Sequence, residues 1–358
     1  MKVAINTGGG DAPGLNAAIR SATLSGIRRG WQMVGIKNGY GSLYTSEPFI
    51  PMTHERVRGI TMQGGTILGT ANRGNPFEMP YQKKDGSWEL EDRSDEAVEV
   101  FRRHHVDALI AIGGDGSMLI ANKLCQKGIK VVGVPKTIDN DIWGCEVSLG
   151  FDTAVTTATE AIDKITTTAE SHQRIMVIEV MGRYAGWIAL HSGLSASADV
   201  ILIPEIKFSM QPVVDKIKER ESKGETYSIV VAAEGATEKG GERFVKEKKA
   251  GQAEQLGGLA EYLAEELSKR TGKESRSLVL GHLQRGGTPS TYDRLISLRF
   301  GAAAIRTVEE KDFNKMITMR QNQIRCIPLA DVAGKTKKVP TGNDTVLTAR
   351  EIGICMGD

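Results

Sequence analysis

Short, almost wholly apolar runs alternate along the chain with longer segments whose apolar positions recur at helical spacing. "KVAIN" leads into "GLNAAIRSATLSGIRRG" and then "QMVGI"; "VDALIAIGG" leads into "GSMLIANKLCQKG" and then "KVVGVP". The second half continues with "RIMVIEVM", "VILIPE" and "YSIVVAAEG", separated by segments such as "FSMQPVVDKIKERESKG". Strands apolar on both faces, alternating with helices, imply parallel sheets covered on each side. The pattern predicts an α/β protein of two doubly wound, Rossmann-like parallel-sheet domains with a site between them, changing domain near Phe151. Three regions break the alternation: 74–96, 238–258 and the tail over 321–358. All three read as solvated surface, the tail as an extension rather than a core element.

With 358 residues the chain is long enough for two domains. Lys+Arg 46 against Asp+Glu 44 leaves a net charge of +2, which gives no electrostatic case for nucleic acid or a membrane surface. No apolar run approaches the ~20 residues of a transmembrane helix. "MKVAINTGGGDAPG" reads as a first strand entering a glycine loop, not as an export signal. Cys125, Cys145, Cys326 and Cys355 lack metal-ligand spacing, so reduced thiols and a cytoplasmic location are expected.

Two glycine loops, "NTGGGDAPGLN" (6–16) and "IGGDGSML" (112–119), each follow a strand and precede a helix. Glycine there admits a close ligand, and the helix N-terminus supplies free N–H groups and a positive dipole end, so an anion, most simply phosphate, is expected at both. Neither loop has the Walker or the dinucleotide spacing. Asp115 stands among amides that would cradle phosphate, which calls for a cation between them; Mg²⁺ is held in that way by one or two carboxylates plus substrate oxygens. The other reading makes Asp115 an N-cap, although Ser117 could cap that helix instead.

"VVGVPKTIDND" (131–141) ends an apolar run with Lys136, Asp139 and Asp141 in close succession. It would lie at the C-terminal edge of the strand beside "IGGDGS", where open α/β sheets bind ligands. One aspartate can accept a proton while the other supports a metal, and Lys136 can meet phosphate oxygens. A polar turn with Asx hydrogen bonds at Asp139 and Asn140 is the rival reading.

"GGGDAPGLNAAIR", "GGDGS", "PKTIDND", "SHQRIMVIEVMGRYAGWIAL", "AAEG" and "RSLVLGHLQRGG" resemble the successive motifs of the 6-phosphofructokinases, in that family's order, from residue 1 to about 310. The resemblance implies Mg²⁺-dependent transfer of a phosphoryl group from ATP to the C1 hydroxyl of fructose 6-phosphate, a step of glycolysis. It implies Asp139 as the general base, with Thr137 and Arg183 beside the transferring group. Asp115 would be the Mg²⁺ carboxylate, supported by Asp141. Gly10, Arg73, Gly114, Asp115, Gly116 and Ser117 would bind the nucleotide. Thr137, Ile138, Asp139, Met181, Gly182, Arg183, Glu234, His282, Leu283 and Gln284 would line the sugar pocket, and Arg174, Arg276 and Arg285 would grip its phosphate. Residues 1–150 would be the donor domain, joined again by part of 284–320, and 151–283 the sugar-phosphate domain. In the family some of these arginines reach in from a neighbouring subunit, which implies a homo-oligomer, commonly a dimer of dimers.

The donor signature is mixed. Family members using ATP carry glycine where Gly116 stands, and diphosphate members usually carry aspartate, which would occupy the space an α-phosphate needs. Lys136 points to diphosphate instead. Gly116 weighs more, because excluding the α-phosphate is a steric and charge veto while a lysine can turn aside. ATP is therefore expected first and diphosphate second, and the sequence does not decide against ADP. Leu24, Thr166 and Glu225–Thr226 stand where short bacterial members carry bases for an effector, so altered regulation is expected. A non-catalytic sugar-phosphate sensor on the same fold is the rival of another class; an NAD or lipid kinase would rest on "GGDG" alone.

Overall fold

A computed structural model describes residues 1–71, 74–83, 86–247 and 254–358. The chain enters on β1 (Lys2–Thr7), α1 (Leu15–Ile27), β2 (Gln32–Gly35) and the short β3 (Ile50–Pro51). A peripheral hairpin, β4 (Met79–Gln82) with β5 (Trp88–Glu91), occupies the polar insertion. Then follow α2 (Ser94–Arg103), β6 (Ala108–Gly113), α3 (Asp115–Gln126) and β7 (Val131–Pro135). Every residue of β6 and β7 is buried, as an all-apolar run between helical layers requires. Asp95 and Glu96 open α2 while Arg102 and Arg103 close it, each sign at the dipole end it favours.

The 22-residue helix α4 (Phe151–His172) carries the chain to a second sheet. Here β8 (Ile175–Val180), α5 (Trp187–Ser195), β9 (Val200–Leu202), α6 (Met210–Ser222) and β10 (Ser228–Ala233) succeed one another. A small antiparallel pair, β11 (Val245–Glu247) and β12 (Gln255–Leu256), precedes α7 (Leu259–Thr271) and β13 (Ser275–Val279). The four main strands are parallel in the order β13-β8-β10-β9.

The chain then returns. Helix α8 (Thr291–Glu309) packs along α1, and β14 (Lys315–Arg320) pairs parallel to β7. Next, β15 (Gln323–Pro328) folds antiparallel onto β14, giving a first sheet in the order β15-β14-β7-β6-β1-β2-β3. Asp293 of α8 accepts from the Gly150 and Thr153 amides at 2.9 and 2.8 Å and from the Thr153 hydroxyl at 2.5 Å. That carboxylate fastens the returning helix to the start of α4, satisfying N–H groups a helix leaves free.

The tail corrects the expectation of an extension. Beyond β15, α9 (Leu329–Val332) and α10 (Asp344–Glu351) lie against the body, and Val339, Val346, Ala349, Ile354 and Met356 are buried in the same core as Phe151 and Ile188. Apolar residues are sparse in this stretch, yet most of them are buried, Leu347 and Ile352 being the large exceptions.

Candidate active site

The C-terminal ends of β1, β6 and β7 bring the two glycine loops and the "TIDND" stretch together. The loops touch: a Cβ on Gly8 would stand 2.6 Å from the Ser117 hydroxyl, and one on Gly113 2.3 Å from it. Only glycine permits that approach. The Gly8 amide donates to Ile112 at 2.9 Å, and the hydroxyl of Thr70 donates to the Gly9 carbonyl. Thr7 in turn meets Thr66 at 3.1 Å and donates to the Gly69 carbonyl at 2.8 Å. This supporting segment, 66–70, carried no motif in the sequence. Arg73 lies outside the described residues.

Lys136 is 2% exposed, and its ammonium donates to the carbonyls of Gly8, at 2.9 Å, and of Gly10. Burial, with the Arg285 guanidinium nearby, brings its pKa down to about 8, against the pull of Asp11, Asp139 and Asp115. The lysine is thus a brace inside the first glycine loop.

The loop after Lys136 holds itself by short-range bonds. The amide of Asp139 donates to the Thr137 hydroxyl at 3.2 Å, and that hydroxyl donates to the Asp139 carboxylate at 3.3 Å. Asn140 takes a left-handed φ of 51°, and its side chain accepts from the Ser148 amide at 3.1 Å and donates to the Glu146 carbonyl at 3.3 Å. The polar-turn bonds therefore fall to Asn140, which leaves the aspartates available.

Asp139 is 3% exposed and its Oδ1 has no hydrogen-bond partner. Burial pushes its carboxyl up, opposed by Arg285, Arg183 and the Thr137 hydroxyl, and Asp115 adds to the rise. Burial, then Asp139 and Asp115, bring Asp141 up to about 7. Asp139 and Asp141 stay raised although guanidiniums face them, and carboxylates so placed fit a site completed by a further cation. Among the described residues no three His, Cys, Asp or Glu side chains form a metal cage.

Helix α3 corrects one expectation. It begins at Asp115 with Gly114 as N-cap and no side-chain cap bond, so Ser117 sits inside the first turn rather than capping it. Asp115 is exposed at the first turn, and a Cβ on Gly116 would meet nothing within 4 Å. No packing demands glycine at 116; what its bareness leaves is open space before the loop.

From the second sheet, β8 leads into Met181, Gly182 and Arg183. Gly182 has φ 143° and Arg183 φ 51°. The Arg183 amide donates to Glu234 Oε1 at 3.1 Å, while Gly235 lies so near that a Cβ would stand 1.8 Å from the Arg183 carbonyl. Burial brings Glu234 up to about 7 despite that bond. His282 and Leu283 are exposed on the turn Gly281–Arg285, and Arg285 donates to the Asp11 carbonyl at 3.0 Å, crossing to the first glycine loop. Gln284 is buried and donates back to Gly281 at 3.1 Å, and the Ile138 side chain is fully buried in the core. Both residues are wholly buried, so neither has surface open to a ligand within this chain, contrary to the expectation of side-chain contacts.

Arg174 and Arg276 lie elsewhere. They sit at the N-terminal ends of β8 and β13, the opposite edge from Arg183, and both pair with Glu274, at 2.8 and 2.5 Å. A six-residue strand places those edges roughly 20 Å apart, so within one chain these arginines do not join the site. The expected effector positions hold no free cation: Leu24 packs on the core, Thr166 donates back to Ile162 at 2.8 Å, and Glu225 pairs with Arg220 at 3.6 Å.

Residues 2–308 match the family described as Phosphofructokinase. An ATP-dependent 6-phosphofructokinase of Chloroflexus aurantiacus is 45% identical over 359 residues, spanning 100% of this chain and 98% of the relative. A pyrophosphate–fructose 6-phosphate 1-phosphotransferase of Amycolatopsis methanolica is 48% identical over 344 residues, spanning 95% and 96%. Among solved structures, phosphofructokinase from Saccharomyces cerevisiae superposes with TM-score 0.76 at 30% identity, over 92% of this chain and 45% of that one. The pyrophosphate-dependent phosphofructokinase from Nitrosospira multiformis shares the fold, with TM-score 0.82 at 21% identity over 100% and 92%.

Proposed function

This chain belongs to the phosphofructokinase family, and from that premise we propose that it transfers the γ-phosphoryl group of ATP to the C1 hydroxyl of fructose 6-phosphate. The products are fructose 1,6-bisphosphate and ADP, a step of glycolysis. Asp139 Oδ1, buried without a hydrogen-bond partner between two glycine loops and two guanidiniums, is the observation that carries the reading.

Asp139 accepts the C1 hydroxyl proton as that oxygen attacks the γ-phosphorus and the bond to the β-phosphate oxygen breaks. Thr137 orients Asp139 through its hydroxyl. Arg183, coupled electrostatically to Asp139, faces the charge that develops on the transferring group. Amides of Gly10 and of Gly114 to Ser117 receive the nucleotide phosphates at the start of α3. Mg²⁺ bound by Asp115 and Asp141 would neutralise phosphate charge. Met181, Gly182, Glu234, His282, Leu283 and Arg285 hold the sugar phosphate, while the wholly buried Ile138 and Gln284 support the pocket from behind.

Two facts support ATP as donor: the open space before Gly116, and the commitment of Lys136 to the carbonyls of Gly8 and Gly10. Diphosphate is the second reading, favoured by an ammonium at this loop and by the relative at 48% identity. Supplying ATP, ADP or diphosphate singly with fructose 6-phosphate and Mg²⁺ tests both. Turnover with ATP is expected; turnover with diphosphate alone would replace the donor, and none with any donor would favour a sensor.

A homo-oligomer is part of the proposal, because Arg174 and Arg276 can meet a sugar phosphate only in a neighbouring subunit's site. We place the protein in the cytoplasm, where its substrates are made. Among the described residues no helix is long and apolar enough to cross a membrane. Weak or altered effector control follows from Leu24, Thr166 and Glu225.

A further inference from the structure

The tail crosses behind the catalytic loop on its way to the second sheet. Thr336 forms an antiparallel bridge with Ile142, and the Lys337 amide donates to the Asp141 carbonyl at 2.7 Å. The Lys337 ammonium then donates to the carbonyls of Cys145 and Glu146, at 2.7 and 3.0 Å. One residue thus ties both ends of the 141–146 turn. On its other side the Lys337 ammonium lies 5.0 Å from the Trp187 ring centroid, and the Trp187 indole donates to the Lys337 carbonyl at 3.1 Å. Two residues on, the Val339 amide donates to Glu205 Oε1 at 2.8 Å, and the same carboxylate accepts from the Gly186 amide at 3.1 Å.

These bonds connect two things the reaction must keep in register. One is the loop that carries Asp139 and Asp141 from the first sheet. The other is the turn 182–186, which carries Arg183 from the second. Trp187 and Gly186 close that turn, and the tail holds both to the Asp141 backbone. The carbonyls of Asp141 and Cys145 accept from the tail, and that of Glu146 accepts from both Lys337 and Asn140.

We propose that the tail segment 335–339, keyed by Lys337, is a positioning element for phosphoryl transfer: it fixes the Asp141 end of the catalytic loop against the turn bearing Arg183. The inference rests on the reading of Asp139 and Asp141 as site residues. Lys337 touches no reacting atom and acts through the loop it holds. Outer-shell partners of this kind are worth roughly 10–100-fold in metal affinity or activity.

K337M and K337R in the full chain test it. K337M is expected to lower kcat and raise half-saturating Mg²⁺ by roughly 10–100-fold, while calorimetric affinity for fructose 6-phosphate in metal-free protein stays near wild type. Amide hydrogen exchange over residues 139–148, also in metal-free protein, should quicken, and K337R should restore most of each change. Wild-type kcat and Mg²⁺ dependence in K337M would overturn the proposal. So would a loss of kcat with unchanged exchange and no recovery in K337R. Should K337M fail to fold, W187F removes the indole bond to Lys337 and keeps an aromatic ring in place, and a smaller loss of the same pattern is expected; wild-type behaviour there counts against the strap. A wild-type protein inactive with every donor overturns the functional reading instead, and the exchange result then stands apart from it.

Discussion

The buried ammonium of Lys136 donates to the carbonyl of Gly8 at 2.9 Å, so the residue that would argue for diphosphate is already engaged in holding the first glycine loop. Donor choice then falls to position 116. Gly116→Asp adds a side chain into open space, so the fold should tolerate it and the melting temperature should barely move. The new carboxylate would repel an α-phosphate, and kcat/KM with ATP should fall by about 100-fold or more, close to 3 kcal/mol. Lys136→Met, by contrast, strips two loop carbonyls of their donor and should reduce stability by roughly 1–3 kcal/mol. If K136M were stable and G116D still preferred ATP, the assignment of donor choice to position 116 would be wrong.

Asp139 should act only as a carboxylate. Its carboxyl is pushed up by burial, so in the free enzyme the acid limb of kcat/KM should lie above the ordinary aspartate range near ~4. The rate falls as pH drops through that raised value, because protonation removes the base. Asp139→Ser should lower kcat by about 100- to 10,000-fold and leave fructose 6-phosphate binding nearly unchanged by calorimetry. An acid limb near pH 4 would contradict the burial argument, and near-normal turnover in the variant would contradict the base.

The chemistry at "TIDND" is legible in the sequence because its members are contiguous and end an apolar run. The division of labour within it is not, since Asn140 takes the turn bonds through partners at Glu146 and Ser148 that only folding brings near. The start of α3 misleads for a related reason: Gly114 caps without a side chain, so the visible capping residue, Ser117, lies a turn too late. Arg174 immediately precedes β8 and Arg276 is the second residue of β13, and that order alone places them at the far edge from Arg183. The tail is least legible. Part of its hold on the fold runs through backbone amides of Lys337 and Val339, which carry no residue signature.

Asp141 gives a stability test with a definite sign. Its folded pKa is raised to about 7 from an ordinary 3.8, so the native state holds the proton more tightly than the unfolded chain. The stabilisation this lends is complete below the unfolded value and is lost as pH rises through about 7. Asp141→Asn cannot titrate. Relative to wild type, metal-free D141N should therefore gain roughly 1–3 kcal/mol between pH 5 and pH 8, read as a growing difference in melting temperature. Added Mg²⁺ with nucleotide should erase the difference by favouring the wild-type carboxylate. A gap that shrinks toward pH 8 would mean the carboxyl is not held neutral by burial.

Arg276 shares the Glu274 carboxylate with Arg174 at the N-terminal edge of the second sheet, away from the site of its own chain. If a neighbouring subunit supplies these guanidiniums, Arg276→Ala should raise KM for fructose 6-phosphate by roughly 10–100-fold, a loss of about 1.5–3 kcal/mol of the kind a charged hydrogen bond to phosphate carries, with little change in kcat. The sharper measurement mixes subunits. R276A chains keep an intact Asp139, and D139S chains keep an intact Arg276. Co-refolded, they can form sites that pair a sound base from one chain with a sound arginine from the other. Activity at low fructose 6-phosphate should then exceed that of either variant alone. A mixture no better than the sum of its parts, in a protein shown to be oligomeric, would return Arg276 to an edge ion pair and leave the sugar phosphate to His282 and Arg285.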